Sequence, residues 1–227
     1  MRIVLAPNPV LREKSEPVAP SELKRLRSTA EQMAKLMYKS QGCGIAAPQV
    51  GISKRLVVID VTMPDENGEV KEKNPIFFVN PVITRLWGEK EICDEGCLSI
   101  PGIQIPIERF SSIEVEAMDL SGEPFTVEAE GFFARALQHE IDHLEGMTMF
   151  EHLDPIERIQ AFEEYEEALK AGAKPGDISV EKPAGAASRK SAGAAGAAGA
   201  AGAAGAAGAS GGSGAVKPNR TGAGKAR

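Results

Sequence analysis

The sequence predicts an α+β protein in which antiparallel sheets pack around a central helix, followed by a C-terminal helix and a disordered tail. Two observations indicate this class. Stretches with helical periodicity precede and follow four stretches that are typical of strands. The spacing of those strands favours antiparallel pairing, and a turn that contains glycine joins the last two.

The first predicted helix covers residues 22–40. Ser21 is its candidate N-cap, and Gly42 follows the expected end. The apolar residues share one face, so the helix should be amphipathic: Leu23, Leu26, Ala30, Met33, Leu36 and Met37.

Four strands are predicted after this helix. They are RLVVIDV (55–61), IFFVNPVITRLW (76–87), SIEVEAMD (112–119) and PFTVEAEG (124–131). The sequence LSGE forms the turn between the last two strands. The polar residues 63–74 should form a surface loop between the first two.

Two further helices are predicted. FFARALQHEIDHLEG (132–146) places Glu140 on roughly the same face as its apolar residues and ends near Gly146. DPIERIQAFEEYEEALKAG (154–172) begins with Asp154 as N-cap and ends near Gly172. Its predicted apolar stripe is Ile156, Ile159, Phe162, Tyr165 and Leu169, and its glutamate-rich face should be solvated.

The first of these two helices carries a His-Glu-x-x-His motif. His139 and His143 lie one turn apart, so both imidazoles can reach one metal ion. Glu140 can reach a water at that ion without binding the metal itself. This helix is the expected centre of the fold, and the metal needs a third ligand.

Several residues are candidates for the third ligand. One protease pattern requires a histidine at position 149, which is methionine, and His152 is more simply an exposed turn residue. Four glutamates on the last helix belong to an ordinary amphipathic surface: Glu163, Glu164, Glu166 and Glu167. The remaining candidate is the thiolate of Cys97 in DEGCLSIPG.

The cysteine content indicates a reducing compartment, and the hydropathy gives no sign of a membrane segment. The chain has three cysteines, an odd number, and we interpret Cys43 and Cys93 as buried or neutral fillers. No apolar run is long enough for a signal peptide or a membrane helix. We therefore expect a cytoplasmic protein that has no membrane partner.

Residues 173–227 form a predicted tail that differs in composition from the rest of the chain. A Gly-Ala-Ala repeat offers no large side chain to bury, so we expect a flexible linker. Residues from Pro183 onward carry basic side chains and no acidic ones, whereas the whole chain has a net charge of −6. A solubilising role is favoured over binding to RNA, because the basic residues are few and scattered.

Three motifs in order resemble those of the peptide deformylase family. They are GCGIAAPQVG (42–51), EGCLS (95–99) and QHEIDH (138–143). The resemblance covers about residues 1–170, which corresponds to a catalytic domain over residues 1–172. It implies an enzyme that removes the N-formyl group from nascent polypeptides and releases formate.

The resemblance also implies the roles of individual residues. Cys97, His139 and His143 would bind the metal, and Glu140 would be the general acid and base. The Gln49 side chain and the Leu98 backbone N–H would stabilise negative charge in the transition state. The residues that bind the peptide would be Gly44, Ile45 and Gly96.

The implied cofactor is one divalent ion, with ferrous iron first and zinc, nickel or cobalt as alternatives. The implied partners are N-formylmethionyl nascent peptides, with a transient ribosome contact left open and no specific nucleic acid. Arg109 could pair with Glu95, in the EGCLS segment that contains Cys97, and so support the metal site. A His-Glu-x-x-His metalloprotease and a metal-stabilised, ribosome-associated binding protein remain the alternatives.

Overall fold

The computed structural model describes residues 1–62 and 73–178. Their helices and strands are, in chain order, α1 (Leu23–Lys39), β1 (Gly44–Ala46), β2 (Leu56–Ile59), β3 (Ile76–Cys97), β4 (Ile100–Met118), β5 (Pro124–Glu130), α2 (Gly131–Leu144) and α3 (Pro155–Lys170). All strands belong to one five-stranded antiparallel sheet in the order β1-β2-β3-β4-β5. The predicted α+β class is therefore confirmed, with a single sheet.

β3 and β4 are much longer than the strands predicted in these regions. They form one hairpin with several register shifts, among them an interruption between Trp87 and Lys90. The second half of β3 is mostly exposed and polar, so it lacks the apolar alternation by which a strand is recognised in a sequence. This extension matters for function because it ends at Cys97.

α1 buries the predicted face, but its start differs from the prediction. A short 3-10 helix, Pro20–Glu22, precedes α1, and the N-cap position belongs to Glu22. Ser21 is therefore not the N-cap. The Glu22 carboxylate instead accepts a hydrogen bond from the backbone N–H of Ala19.

α3 begins with the predicted cap, and three positions of its predicted apolar stripe, Phe162, Tyr165 and Leu169, pack into a buried cluster. Asp154 accepts hydrogen bonds from the backbone N–H groups of Ile156 and Glu157. The predicted apolar stripe is wrong at its first two positions, because Ile156 and Ile159 are exposed. Small alanines on the neighbouring stripe allow close approach to β4, and the fully buried residues are Ala161, Tyr165 and Ala168.

α2 lies against the sheet and contacts β1, β2, β4 and β5. Its apolar side chains join a buried cluster with residues of the sheet, including Val57, Phe78, Val115 and Val127. Gly146 ends the helical segment in the left-handed region, at φ 75°. The helix with the histidine motif is thus central, as predicted.

Part of the predicted loop and most of the predicted tail lie outside the described residues, which omit 63–72 and 179–227. Of the tail, residues 173–178 are described and contact the domain. Within the described part of the chain, no helix has the length and apolar character needed to cross a membrane.

Candidate metal centre

Three side chains converge between the end of β3 and the middle of α2. The Sγ atom of Cys97 lies 3.3 Å from Nε2 of His143. One ligand atom from each of Cys97, His139 and His143 lies within 4.8 Å of the other two, and all three residues are buried. Ligand atoms around a tetrahedral ion are about 3.5 Å apart, so this group needs little adjustment to hold one.

The other candidates for the third ligand lie elsewhere. His152 is exposed, and its Nε2 atom lies 2.7 Å from Asp142 Oδ2. Glu163, Glu166 and Glu167 are exposed on α3. Cys97 is therefore the residue that joins the two histidines.

Glu95 contacts the ring of His139 at Nδ1. Its Oε2 atom lies 2.9 Å from His139 Nδ1, which leaves Nε2 of that ring for a metal. Arg109 binds Glu95 through two hydrogen bonds of 3.0 and 3.1 Å, which is the pairing expected from the sequence. Arg135 adds a third contact, 2.8 Å from Oε1 of Glu95.

The network continues from Arg109 to the protein surface. Nη1 of Arg109 donates to Asp142 Oδ2 at 2.6 Å, and the same oxygen contacts His152. Sequence reasoning missed Arg135 and Asp142. Asp142 stands inside the histidine motif, but its sequence position does not reveal the distant arginine that it binds.

The electrostatics around Cys97, His139 and His143 favour a cation. Burial would raise the pKa of the Cys97 thiol, but His143 and His139 beside it lower this pKa to about 5. Burial would lower the pKa of His139, whereas Cys97 and Glu95 raise it well above its ordinary value. A thiolate and a carboxylate thus attract positive charge to this point, and a divalent ion can take the place of the protons. The donor set fits a divalent metal.

Glu140 lies beside Cys97 and His139 in an enclosed environment. Burial raises the pKa of its carboxyl to about 7 and outweighs the lowering effect of His139 and His143, while Cys97 and Glu95 make smaller raising contributions. Its Oε2 atom has no hydrogen-bond partner among the described residues. A buried carboxyl that titrates near neutral pH and has a free oxygen can accept and return a proton.

Gly44 makes room for Glu140. A Cβ atom at position 44 would collide with the Glu140 carboxylate, so only glycine is compatible with this arrangement. Ile45 follows on β1, and its side chain is fully buried in the core. Any contact of Ile45 with a ligand must therefore use its backbone. β1 is an edge strand of the sheet, which leaves its outer side available for another strand.

The Gln49 side chain lies next to Cys97, and a hydrogen bond from the backbone fixes the orientation of its amide. Its Oε1 atom accepts a hydrogen bond of 2.8 Å from the N–H of Ala46. The Nε2 donor consequently points toward Cys97 Sγ, at 3.5 Å. Leu98 and Gly96 flank Cys97, and of these two neighbours Leu98 is buried and Gly96 is exposed.

A cavity of about 250 Å³ gives access to Cys97, His139 and Glu140. Gly42, Cys43 and Gly44 form one side of it, and Phe132, Arg135 and Ala136 of α2 form another. Gly176, Asp177 and Ile178, from the chain after α3, also line the cavity. No sequence motif indicated Phe132 or these last three residues.

The remaining cysteines do not join the ligand group. Burial raises the pKa of the Cys43 thiol to about 11, and nearby Glu140 adds to this shift, so Cys43 is neutral. Cys93 is exposed on β3 and is therefore not a buried filler.

Comparisons with known proteins agree with this geometry. The family model described as polypeptide deformylase matches residues 1–159. A peptide deformylase from Rhizobium meliloti (strain 1021) is 40% identical over 173 residues, which cover 76% of this chain and 96% of the relative.

Solved structures of peptide deformylases have the same fold. The protein from Ehrlichia chaffeensis has a TM-score of 0.68 and 34% identity, with 75% of this chain and 97% of that chain covered. The protein from Synechococcus elongatus, solved in complex with actinonin, has a TM-score of 0.62 and 37% identity, with 78% and 86% covered. By sequence and by fold, this chain belongs to the polypeptide deformylase family.

Proposed function

We propose that this chain is a metal-dependent hydrolase that removes the N-formyl group from formyl-methionine at the start of nascent polypeptides. The observation that carries the proposal is the position of Glu140, which lies in the same cavity as Cys97 and His139. Family membership supports deformylation and does not favour the metalloprotease alternative.

We assign the metal site to Cys97, His139 and His143. When bound, a divalent ion supplies a Lewis acid that lowers the pKa of a water molecule and polarises a carbonyl oxygen. A thiolate with two neutral imidazoles accepts iron, zinc, nickel or cobalt. We propose ferrous iron as the ion in the cell, which would also make the site sensitive to oxidation at Cys97.

Glu140 would move the proton. It would accept a proton from the attacking water and deliver it to the departing amine, so that one molecule of water gives formate and a free N-terminus. A carboxyl with a pKa near neutrality is suited to both steps, because it releases a proton about as readily as it accepts one.

Gln49 and Leu98 would stabilise the charge that develops on the formyl oxygen. The bond from Ala46 to Gln49 Oε1 keeps the amide from rotating, so the Nε2 donor is preorganised toward the ligands. The backbone N–H of Leu98, directly after Cys97, would be the second donor.

The peptide would bind as an additional strand. β1 lies at the sheet edge with Gly44 on the cavity, and Gly96 lines the same cavity near the end of β3. Backbone pairing with Gly44, Ile45 and Gly96 is independent of side chains, as an enzyme that acts on many nascent chains requires. A reducing cytoplasm suits both this substrate and the Cys97 thiolate.

A transient ribosome contact would involve either a ribosomal protein or the basic residues after Pro183. The glutamates of α3 would repel RNA, whereas the basic residues would attract it. Deletion of residues 183–227 should then weaken salt-dependent binding to ribosomes, and unchanged binding would exclude the tail.

One assay tests the proposed activity. The protein is purified without oxygen, loaded with ferrous iron, and offered formyl-Met-Ala-Ser beside an unblocked peptide. We expect release of formate from the first peptide, and loss of that release in Glu140→Ala with the metal still bound. Cleavage within the unblocked peptide would indicate a protease, and no turnover of either peptide would indicate a binding protein.

A further inference from the structure

The chain after α3 forms a turn that contacts the domain at two places. Within the turn, the backbone N–H of Lys174 donates to Asp177 Oδ2 at 2.7 Å, and that of Asp177 donates to Lys174 O at 2.9 Å. The N–H of Gly102, near the start of β4, donates to Asp177 O at 2.7 Å. These contacts fix the position of the next residue, Ile178.

Gly176 lies close to Ser40, which follows the end of α1. Its φ of 105° lies in the region that favours glycine, and a Cβ there would collide with the carbonyl oxygen of Ser40. The turn therefore lies against both α1 and β4. The family model ends at residue 159, so the turn itself lies beyond the segment that it matches.

Ile178 lies at the rim of the cavity that leads to the metal ligands. Its Cγ2 atom is 3.4 Å from the position of a Cβ at Gly96, which places it beside the backbone that borders Cys97. The side chain remains 59% exposed. Phe132 of α2, which is also largely exposed, lines the same cavity. Two large apolar side chains at the rim of one cavity are typical of a binding surface.

We propose that Ile178 is a specificity-determining residue that favours apolar side chains at the second or third position of the formylated peptide. This inference rests on the proposed function. The formyl group must reach Cys97 and His139 in the buried part of the cavity, so the first residue lies inside it. The following residues of an extended peptide advance by about 3.3 Å each and therefore pass the rim.

The geometry also limits which position of the peptide can contact Ile178. Successive side chains of a strand point to opposite sides, so only one of the second and third residues can face Ile178. An apolar side chain there would remove the exposed surface of Ile178 from water, whereas a charged side chain would lose hydration against it.

Two peptide series test the proposal. Formyl-Met-X-Ser varies the second residue and formyl-Met-Ala-X varies the third, with X as leucine or glutamate. At one of the two positions, we expect the intact iron-loaded protein to show a kcat/KM for leucine about tenfold above that for glutamate. Ile178→Ala should reduce this ratio, and Ile178→Lys should reverse it, because an ammonium group attracts the glutamate.

Ile156→Lys is the matched control. Ile156 is an isoleucine of α3 that is 69% exposed and does not line the cavity, so this variant should keep the original ratio. Metal content and thermal unfolding are measured for each variant. The inference is wrong if Ile178→Lys keeps the original leucine-to-glutamate ratio at both positions.

A binding measurement separates this inference from the proposed function. The dissociation constants of the same peptides are measured with metal-loaded Glu140→Ala protein, with and without Ile178→Lys. Absence of formate release by the unmutated protein would refute the proposed function. The ratio of the dissociation constants for leucine and glutamate peptides is then compared between the proteins with and without Ile178→Lys. A change in this ratio would still support the role of Ile178, and an unchanged ratio would overturn the inference.

Discussion

Glu95 and His139 are joined by a 2.9 Å hydrogen bond between Oε2 and Nδ1, although they are 44 residues apart in the chain. Since Nδ1 is engaged, His139 can offer only Nε2 to a metal. Glu95 is itself held by Arg109 and Arg135, so the orientation of the imidazole depends on a buried ionic network.

Glu95→Gln should weaken metal binding about 10- to 100-fold, because a neutral amide orients and polarises the His139 ring less than a carboxylate does. Competition with a chelator measures this affinity. Glu108→Gln is the control, since Glu108 is exposed on β4 and pairs with Lys90. Equal metal affinity in the two variants would show that Glu95 does not support the ligand.

Arg109→Ala should destabilise the fold by about 3 kcal/mol, because it leaves the buried Glu95 with Arg135 alone and removes the arginine that binds Asp142. Urea unfolding of the metal-loaded protein measures the change. Arg85→Ala, at a half-exposed residue that pairs with Glu128, should cost at most about 1 kcal/mol. Unchanged metal retention and turnover in Arg109→Ala would refute a supporting role at the metal site.

Gln49→Glu tests charge stabilisation without removing the bond to Ala46. The carboxylate can still accept from the Ala46 N–H, but it has no donor to offer the formyl oxygen. We expect kcat to fall about 10²- to 10³-fold while metal content is retained. Gln32→Glu, on the exposed surface of α1, should leave kcat unchanged, and a small effect in both variants would argue against the role of Gln49.

The raised pKa of Glu140 predicts how activity depends on pH. Burial raises this pKa to about 7, so the fraction of carboxylate falls as the pH decreases through that value. The positive charge of a bound ion would shift the pKa downward. We expect kcat/KM of the iron-loaded protein to fall up to tenfold per unit on the acidic side, at or below about pH 7. A profile that stays flat on the acidic side over the whole pH range in which the protein remains folded and metal-loaded would contradict proton transfer by Glu140.

Local sequence was sufficient for those features that neighbouring residues determine. The spacing of His139 and His143 places both on one side of α2, because side chains four residues apart adjoin on any α-helix. The Asp154 cap and the Gly146 termination follow from the same local chemistry. Ser21 is not the N-cap of α1 because the 3-10 helix Pro20–Glu22 precedes that helix. The apolar stripe of α3 was mispredicted at Ile156 and Ile159 because local periodicity does not say which face the domain covers.

The sequence by itself determined the fold class, the two histidines on one helix and, through ordered motifs, the family. Tertiary structure decided which residues complete the site. The contacts of Glu95 with Arg135 and His139, and the position of Ile178 beside Gly96, join segments far apart in the chain. Such contacts depend on how β3, α2 and the chain after α3 pack together, and that packing is a property of the whole domain rather than of any short stretch.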